Sequence, residues 1–314
     1  MITSIGELLV DFLPIMEEGR TTGFSIHAGG APYNVAVGLS RLEQKVAFAG
    51  KVSSDLFGRY LRECAEREEI DTRFLLTGDA PSTLAFVATE QGEPAYAFYD
   101  EGAADTMLTI GEVPPTLFEE TSILHFGSIS LLRGSTPAAV VEIVERLKDK
   151  ALLSFDPNVR PGVVRNEQAY RALLDYFFSL ADLVKLSAAD IAWLAPGETV
   201  ESFARELSRR GLALVVITRG EEGVFAIRGE EQWHIPPVPV QVVDTVGAGD
   251  AFSAGLLAGL AERGVTSRQT LAELPNQEIE ASLKFASAVA ALTCTQPGAD
   301  PPIRSQLERF IVQA

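Results

Sequence analysis

A chain of 314 residues, 46% hydrophobic and 22% charged, can bury a sizeable core, and its 43 acidic against 26 basic residues leave a formal charge of −17. That excess disfavours nucleic acid and anionic membranes as partners, and any phosphate site must be built locally from backbone dipoles and a few cations. Cys64 and Cys294, far apart in helical contexts, make no disulfide framework and point to a reducing cytoplasm, while His27, His125 and His234 lack the spacing of a metal cage.

In chain order, "ITSIGELLVDF" reads as a buried strand, too acidic at Glu7 and Asp11 for a signal peptide or membrane span. The segment from Phe12 to Ala28 is non-helical, punctuated by Gly19 and Gly23. Then "NVAVGLSRL" reads as a helix, "VAFAGKV" as a strand and "LFGRYLRECAEREE" as a helix. "TLAFVATEQGEPAYAFYD", Thr83 to Asp100, reads as two strands joined by a turn at Gln91-Gly92-Glu93. Strands "SILHFGS", "LLSFDPN", "DLVKLS" and "LALVVIT" follow, separated by helical "TPAAVVEIVERLKDK", "QAYRALLDYFFSLA" and "TVESFARELSRRG". A second hairpin, "GVFAIRGEEQWHIPP", precedes a last motif, "VVDTVGAGDAFSAGLLAGLAERG".

Near-continuous apolar strands alternating with amphipathic helices predict an α/β fold, a doubly wound and mostly parallel sheet with helices on both faces. Ligands then bind beyond the carboxyl ends of the strands. The two segments that break the pattern, about 12–28 and 83–100, predict a small antiparallel β lid. No linker composition marks a second domain, so residues 1–314 are expected to form one.

In "DTVGAGD", Gly247 and Gly249 let the backbone turn so that successive N–H groups point into one concavity, and the helix beginning near Asp250 adds its positive dipole end. Such an anion hole suits a transferring phosphoryl group. A carboxylate beside it is then a base for an attacking hydroxyl. Taken alone, GAGD is also an ordinary helix start.

"DTVGAGDAFSAG" resembles the C-terminal signature of the ribokinase-type (PfkB) carbohydrate kinases, and "HAGGAPYNVAVGLSRL" with "VAFAGKVSSDLFGRYL" resembles its N-terminal companion; the resemblance spans essentially the whole chain. It implies a ribokinase-like, Rossmann-like fold and an ATP-dependent phosphotransferase with an alcohol acceptor. Asp250 would be the catalytic base, with Gly247, Ala248 and Gly249 forming the anion hole. Asp11, Gly29, Gly30 and Asn34 would hold sugar hydroxyls; by themselves Gly29-Gly30 and Asn34 also fit a turn and a helix start. "VVITRGEEG" resembles the nucleotide segment, with Thr218, Gly220 and Gly223 beside ATP. "KLSAAD" aligns with the segment that organises Mg2+ through water, Ser187 standing for its Asn and Asp190 for its Glu, with Lys185 just upstream. The resemblance also implies a monovalent cation (K+) held by carbonyls near Asp244 and Val246, and places Ser287 on the adenine-side helix where many relatives have Asn.

The cues "GELLVDFLP", "GGAPYNVAV", "HFGSISL" and "FDPNVRPGV" look like bacterial fructokinases and, nearly as well, 2-keto-3-deoxygluconate kinases, with ribokinases and nucleoside kinases behind. Arg160 in "DPNVRP" is placed to reach substrate or phosphate. Several relatives end the hairpin in Tyr-Arg, where this chain has Tyr99-Asp100, which turns the reading toward a neutral sugar, fructose first. Arg20 is the obvious cation of the lid segments, and Phe98 and Tyr99 are expected to pack over the sugar ring. Leu84, Phe86 and Ala88 on one alternation and Ala85 and Val87 on the other make the hairpin apolar on both faces, with Tyr96, Phe98 and Tyr99 on its second strand. One face would cover the sugar and the other pair with a second copy, predicting a homodimer through Phe86 or Val87. A Rossmann dehydrogenase is disfavoured because no Gly-x-Gly-x-x-Gly follows the first strand, and a non-catalytic sugar-binding protein because it needs no base.

Overall fold

The computed structural model describes residues 1–17, 20–90 and 93–313. Its strands are β1 (Ile2–Ile5), β2 (Leu9–Glu17), β3 (Arg20–Gly29), β4 (Val46–Ser53), β5 (Leu75–Gly78), β6 (Leu84–Glu90), β7 (Glu93–Tyr99), β8 (Ile123–Gly127), β9 (Leu152–Asp156), β10 (Leu183–Ser187), β11 (Leu214–Thr218), β12 (Val224–Arg228) and β13 (Glu231–Ile235). The helices are α1 (Ala31–Arg41), α2 (Leu56–Arg67), α3 (Thr116–Glu120), α4 (Thr136–Leu147), α5 (Glu167–Leu180), α6 (Ala188–Leu194), α7 (Val200–Arg209), α8 (Ala248–Glu262), α9 (Arg268–Glu273), α10 (Asn276–Thr293) and α11 (Arg304–Gln313).

The main sheet has the order β13-β12-β11-β10-β9-β8-β1-β4-β5. It is parallel from β5 to β11, with the β12–β13 hairpin added antiparallel at one edge. Both of its faces are buried, as the unbroken apolar runs require: Ile2, Phe48 and Val216 pack toward α1, α8 and α10, while Ile5, Phe126 and Phe155 pack toward α4 and α5. The chain builds outward from β1 through β4 to β5, then returns to the other side of β1 with β8. The order therefore reverses beside β1, where a crevice opens in such sheets.

A smaller sheet, β3-β2-β6-β7, stands apart as the lid. The single strand expected over "ITSIGELLVDF" is two strands in two sheets, broken at Gly6, which has φ +155° and where a Cβ would fall 2.5 Å from Pro32 Cγ. The lid is also not wholly antiparallel. β2 and β6 run parallel, because α1, β4, α2 and β5 intervene between the two hairpins. β6 and β7 pair from Leu84–Tyr99 to Glu90–Glu93; Gln91 and Gly92 of the predicted turn lie outside the described residues. Among the described residues no helix is long and apolar enough to cross a membrane.

Candidate active site

Because the central strands are parallel, their carboxyl ends share one rim: Glu7 follows β1, Asp156 ends β9, Ser187 ends β10 and Thr218 ends β11. The first turn of α8 stands over it. Gly247, the residue before the helix, has φ +74°, and a Cβ there would fall 2.5 Å from Ala299 Cβ, so only glycine fits. In the first turn, the N–H groups of Gly249 and Asp250 have no intrahelical carbonyl to meet and face outward with the positive end of the dipole.

A cation backs this turn. Lys185 is 5% exposed, pairs with Asp156 Oδ2 at 2.9 Å, and lies so near that a Cβ on Gly249 would be 3.0 Å from its Nζ. Burial opposes its charge, but Asp156, then Asp190 and Asp250, outweigh that and raise its pKa. Asp250 is buried at 8% exposure, and burial pushes its carboxyl up to about 6 against the pull of the Asn34 hydrogen bond and of Lys185. It is therefore ionised at neutral pH yet basic enough to take a proton. Asp156 Oδ2 also accepts from Ser253 at 3.3 Å, while Asp156 Oδ1 is buried with no hydrogen-bond partner among the described residues.

The residues expected to hold the sugar come from the lid and α1. Asp11 on β2, Ala85 on β6 and Phe98 on β7 form one cross-strand row, so all three share a face. Tyr99 lies on the opposite alternation, with Phe86 at a ring separation of 5.6 Å, and is 65% exposed; it does not share Phe98's side. Burial pushes the Asp11 carboxyl up to about 6. β3 closes on it so tightly that a Cβ at Gly29 would lie 2.0 Å from Asp11 Oδ2. Gly30, at φ +118°, leads into α1; there Asn34 N–H donates to Gly30 O at 2.8 Å and Asn34 Nδ2 donates to Asp250 Oδ2 at 2.9 Å. Arg160 is exposed, within electrostatic reach of Asp250, whose pKa it lowers. Arg20 pairs in register with Glu17 at the far end of β3, so it stands away from this rim.

Of the residues expected beside the nucleotide, Ser187 and Thr218 are register partners at the ends of β10 and β11. Thr218 Oγ1 donates to Leu186 O at 3.3 Å, and the turn holding Gly220 and Gly223, both at positive φ, is closed by Arg219 N–H donating to Gly223 O at 2.8 Å. Asp190 accepts three hydrogen bonds: from Val159 N–H at 2.7 Å and from the N–H and Oγ of Ser187 at 2.6 Å each. Its side chain caps α6 and fixes the strand end that leads to Arg160. Asp244 accepts from Val246 N–H at 3.1 Å and Gly298 N–H at 2.8 Å, tying the loop before α8 to the loop after α10. Burial opposes its charge, but those donors hold its carboxyl below the usual range. Ser287 Oγ donates to Leu283 O within α10 at 2.9 Å.

Residues 1–306 match the pfkB family of carbohydrate kinases. The chain belongs to that family. This kinase is 37% identical over 316 residues to a fructokinase of Klebsiella pneumoniae, with 98% of each chain covered. Its fold superposes on the fructokinase of Xylella fastidiosa with bound ATP at a TM-score of 0.92 and 30% identity, covering 99% of this chain and 98% of that one. On the fructokinase of Vibrio cholerae O395 in its fructose, ADP and calcium ion bound form the TM-score is 0.85 at 28% identity, with 98% of each covered.

The structure of the kinase adds three residues to those the motifs named. Glu7 is buried, accepts from Ala31 N–H at 3.2 Å and Ser130 N–H at 3.1 Å, and burial pushes its carboxyl up to about 8. It clamps the start of α1 to the turn after β8. Asp156 was visible only as the first residue of "DPN" at a strand end. Arg133, which pairs with Asp100, carries no local signal at all.

Proposed function

We propose that this kinase transfers the γ-phosphoryl group of ATP to a primary hydroxyl of fructose. The observation that carries the reading is the Asn34–Asp250 hydrogen bond, which seats a buried carboxylate between the sugar-side helix and the first turn of α8. Identity to a named fructokinase over nearly the whole chain, and fold similarity to one that holds fructose and ADP, support the choice of sugar.

In the proposed reaction Asp11, Gly29, Gly30, Asn34 and Phe98 position the sugar, with the lid excluding water. Asp250 takes the proton from the attacking hydroxyl as it closes on phosphorus in line. The backbone of Gly247, Ala248 and Gly249, backed by Lys185, receives the negative charge that shifts onto the phosphoryl oxygens. Arg160 reaches in from the end of β9, and Thr218, Gly220, Gly223 and Ser187 flank the nucleotide. No covalent enzyme intermediate is needed.

ATP brings Mg2+, which neutralises phosphate oxygens. Among the described residues no group of three or more His, Cys, Asp and Glu is placed to cage a metal ion, which suits a cation held mainly by phosphates and waters. The donor set still fits it: Asp156 Oδ1 is an orphaned carboxylate oxygen, and Asp156, Asp190 and Asp250 outnumber Lys185 in charge. Asp190, with three donors already on it, contributes through its field more than through a free lone pair. For K+, the carbonyls near Asp244 and Val246 are the proposed cradle.

The same reading takes the chain as one kinase domain with its lid, acting as a homodimer in the cytoplasm. The lid's outer face supports the dimer: Phe24, Ile26 and Tyr99 are 44%, 42% and 65% exposed around the stacked Phe12–Phe86 pair. Val87, the other residue expected there, has its side chain outside those described.

An ATP-consumption screen over fructose, ribose, 2-keto-3-deoxygluconate, adenosine and sugar phosphates tests the function. Fructose should give the highest kcat/KM; a preference for any of the others overturns the assignment.

A further inference from the structure

The base of the lid carries a charge pair that the proposed reaction does not use. Asp100 directly follows β7, two residues beyond Phe98, which lies on the Asp11 face. Its partner Arg133 comes from the main domain, just past the 3-10 turn Ser128–Leu131 that Glu7 holds through Ser130. One guanidinium nitrogen of Arg133 donates to Asp100 Oδ1, and the other donates to Val163 O at 3.3 Å. Val163 belongs to the turn that Arg160 opens. Both side chains are largely covered, 18% exposed for Arg133 and 13% for Asp100. The pair thus joins the lid, the end of β8 and the Arg160 turn at the sugar end of the rim.

The surroundings are acidic. Burial raises the pKa of Asp105, and the nearby Asp100 adds to it; burial likewise raises Glu7, with a smaller push from Asp105. A free guanidinium here would be the natural anchor for a substrate carboxylate, since it binds one bidentately. Paired with Asp100 it is spent, so a sugar acid would meet the Asp11 and Asp100 carboxylates without Arg133 free to receive it.

Building on the fructokinase reading, we infer that the Arg133–Asp100 pair is a specificity determinant, cancelling a cation at the lid base so that the site takes uncharged sugars and turns away sugar acids. Removing one partner of a covered ion pair leaves the other charge uncompensated and open to a new partner. Asp100→Asn therefore hands Arg133 to the substrate.

The test compares kcat/KM for fructose and 2-keto-3-deoxygluconate in the wild type, Asp100→Asn, Asp100→Ser and the double variant Asp100→Asn/Arg133→Met, each checked for folding by thermal melting. In both single variants the acid-to-fructose ratio should rise about tenfold or more, the scale of one charge contact. In the double variant it should fall back to the wild-type ratio. Folded single variants with an unmoved ratio, or a rise that survives loss of Arg133, overturn the inference while leaving the fructokinase reading intact. A wild type inactive on fructose overturns that reading and the inference with it.

Discussion

Asn34 and Asp250 are 216 residues apart in the chain and meet through a 2.9 Å hydrogen bond, amide donating to carboxylate. The contact fixes one carboxylate oxygen from α1; in the proposed reaction the other takes the proton of the substrate hydroxyl. Asp250→Asn keeps the shape and removes the proton acceptor. We expect kcat to fall by about 10²–10⁴ with nucleotide binding preserved. Turnover within about tenfold of wild type would falsify the role of base.

The acid limb of the rate should report the same group. With the Asp250 carboxyl at about 6, the base is lost as pH falls through that value, and kcat/KM should drop roughly tenfold per unit below it. Asn34→Leu deletes the hydrogen bond that favours the ionised form, so the limb should move to higher pH. A limb that stays in place in this variant, measured with saturating ATP, removes Asp250 as its origin.

Gly29 and Asp11 test the sugar contact from two directions. Asp11→Ala deletes the carboxylate, while Gly29→Ala pushes a methyl to where Oδ2 sits, 2.0 Å away. Both should raise the fructose KM and lower kcat/KM, by up to about a hundredfold for a lost charged hydrogen bond, with the KM for ATP nearly constant. A normal fructose KM in either variant argues that Asp11 points elsewhere during turnover.

Glu7 links the site to stability. Its carboxyl sits near 8 in the folded chain and 4.5 in the ordinary state, so folding favours the protonated form and Glu7's contribution is lost as pH rises from about 4.5 through 8. Glu7→Gln sets an amide NH2 against the N–H of Ala31 or Ser130, at a cost of about 1–3 kcal/mol. Melting curves should show the largest deficit near pH 5, narrowing toward pH 8, together with a raised fructose KM because α1 starts there. A deficit that widens with pH would contradict this titration.

The lid's outer face predicts association. Light scattering at micromolar concentration should give twice the 33.8 kDa chain mass, and Phe24→Glu with Phe86→Glu should return it to one. A wild-type species at 33.8 kDa rules out the dimer.

The strands and helices of the main sheet were legible in the sequence because burial on both faces leaves a local record, apolar runs such as "LALVVIT" beside amphipathic helices such as "VESFARELSR". The turn into α8, proposed as the anion hole, was legible for the same kind of reason, since the positive φ of Gly247 is a local property of glycine. What no window of a few residues contains is the partner a charge finds across the fold. The room denied to a side chain at Gly6 is set by Pro32, the three donors on Asp190 include one from Val159, and the Asp100 carboxylate is answered by Arg133 from another element. Tertiary structure decided these because an ion pair or a buried carboxylate is settled by distance and desolvation, and sequence separation carries neither.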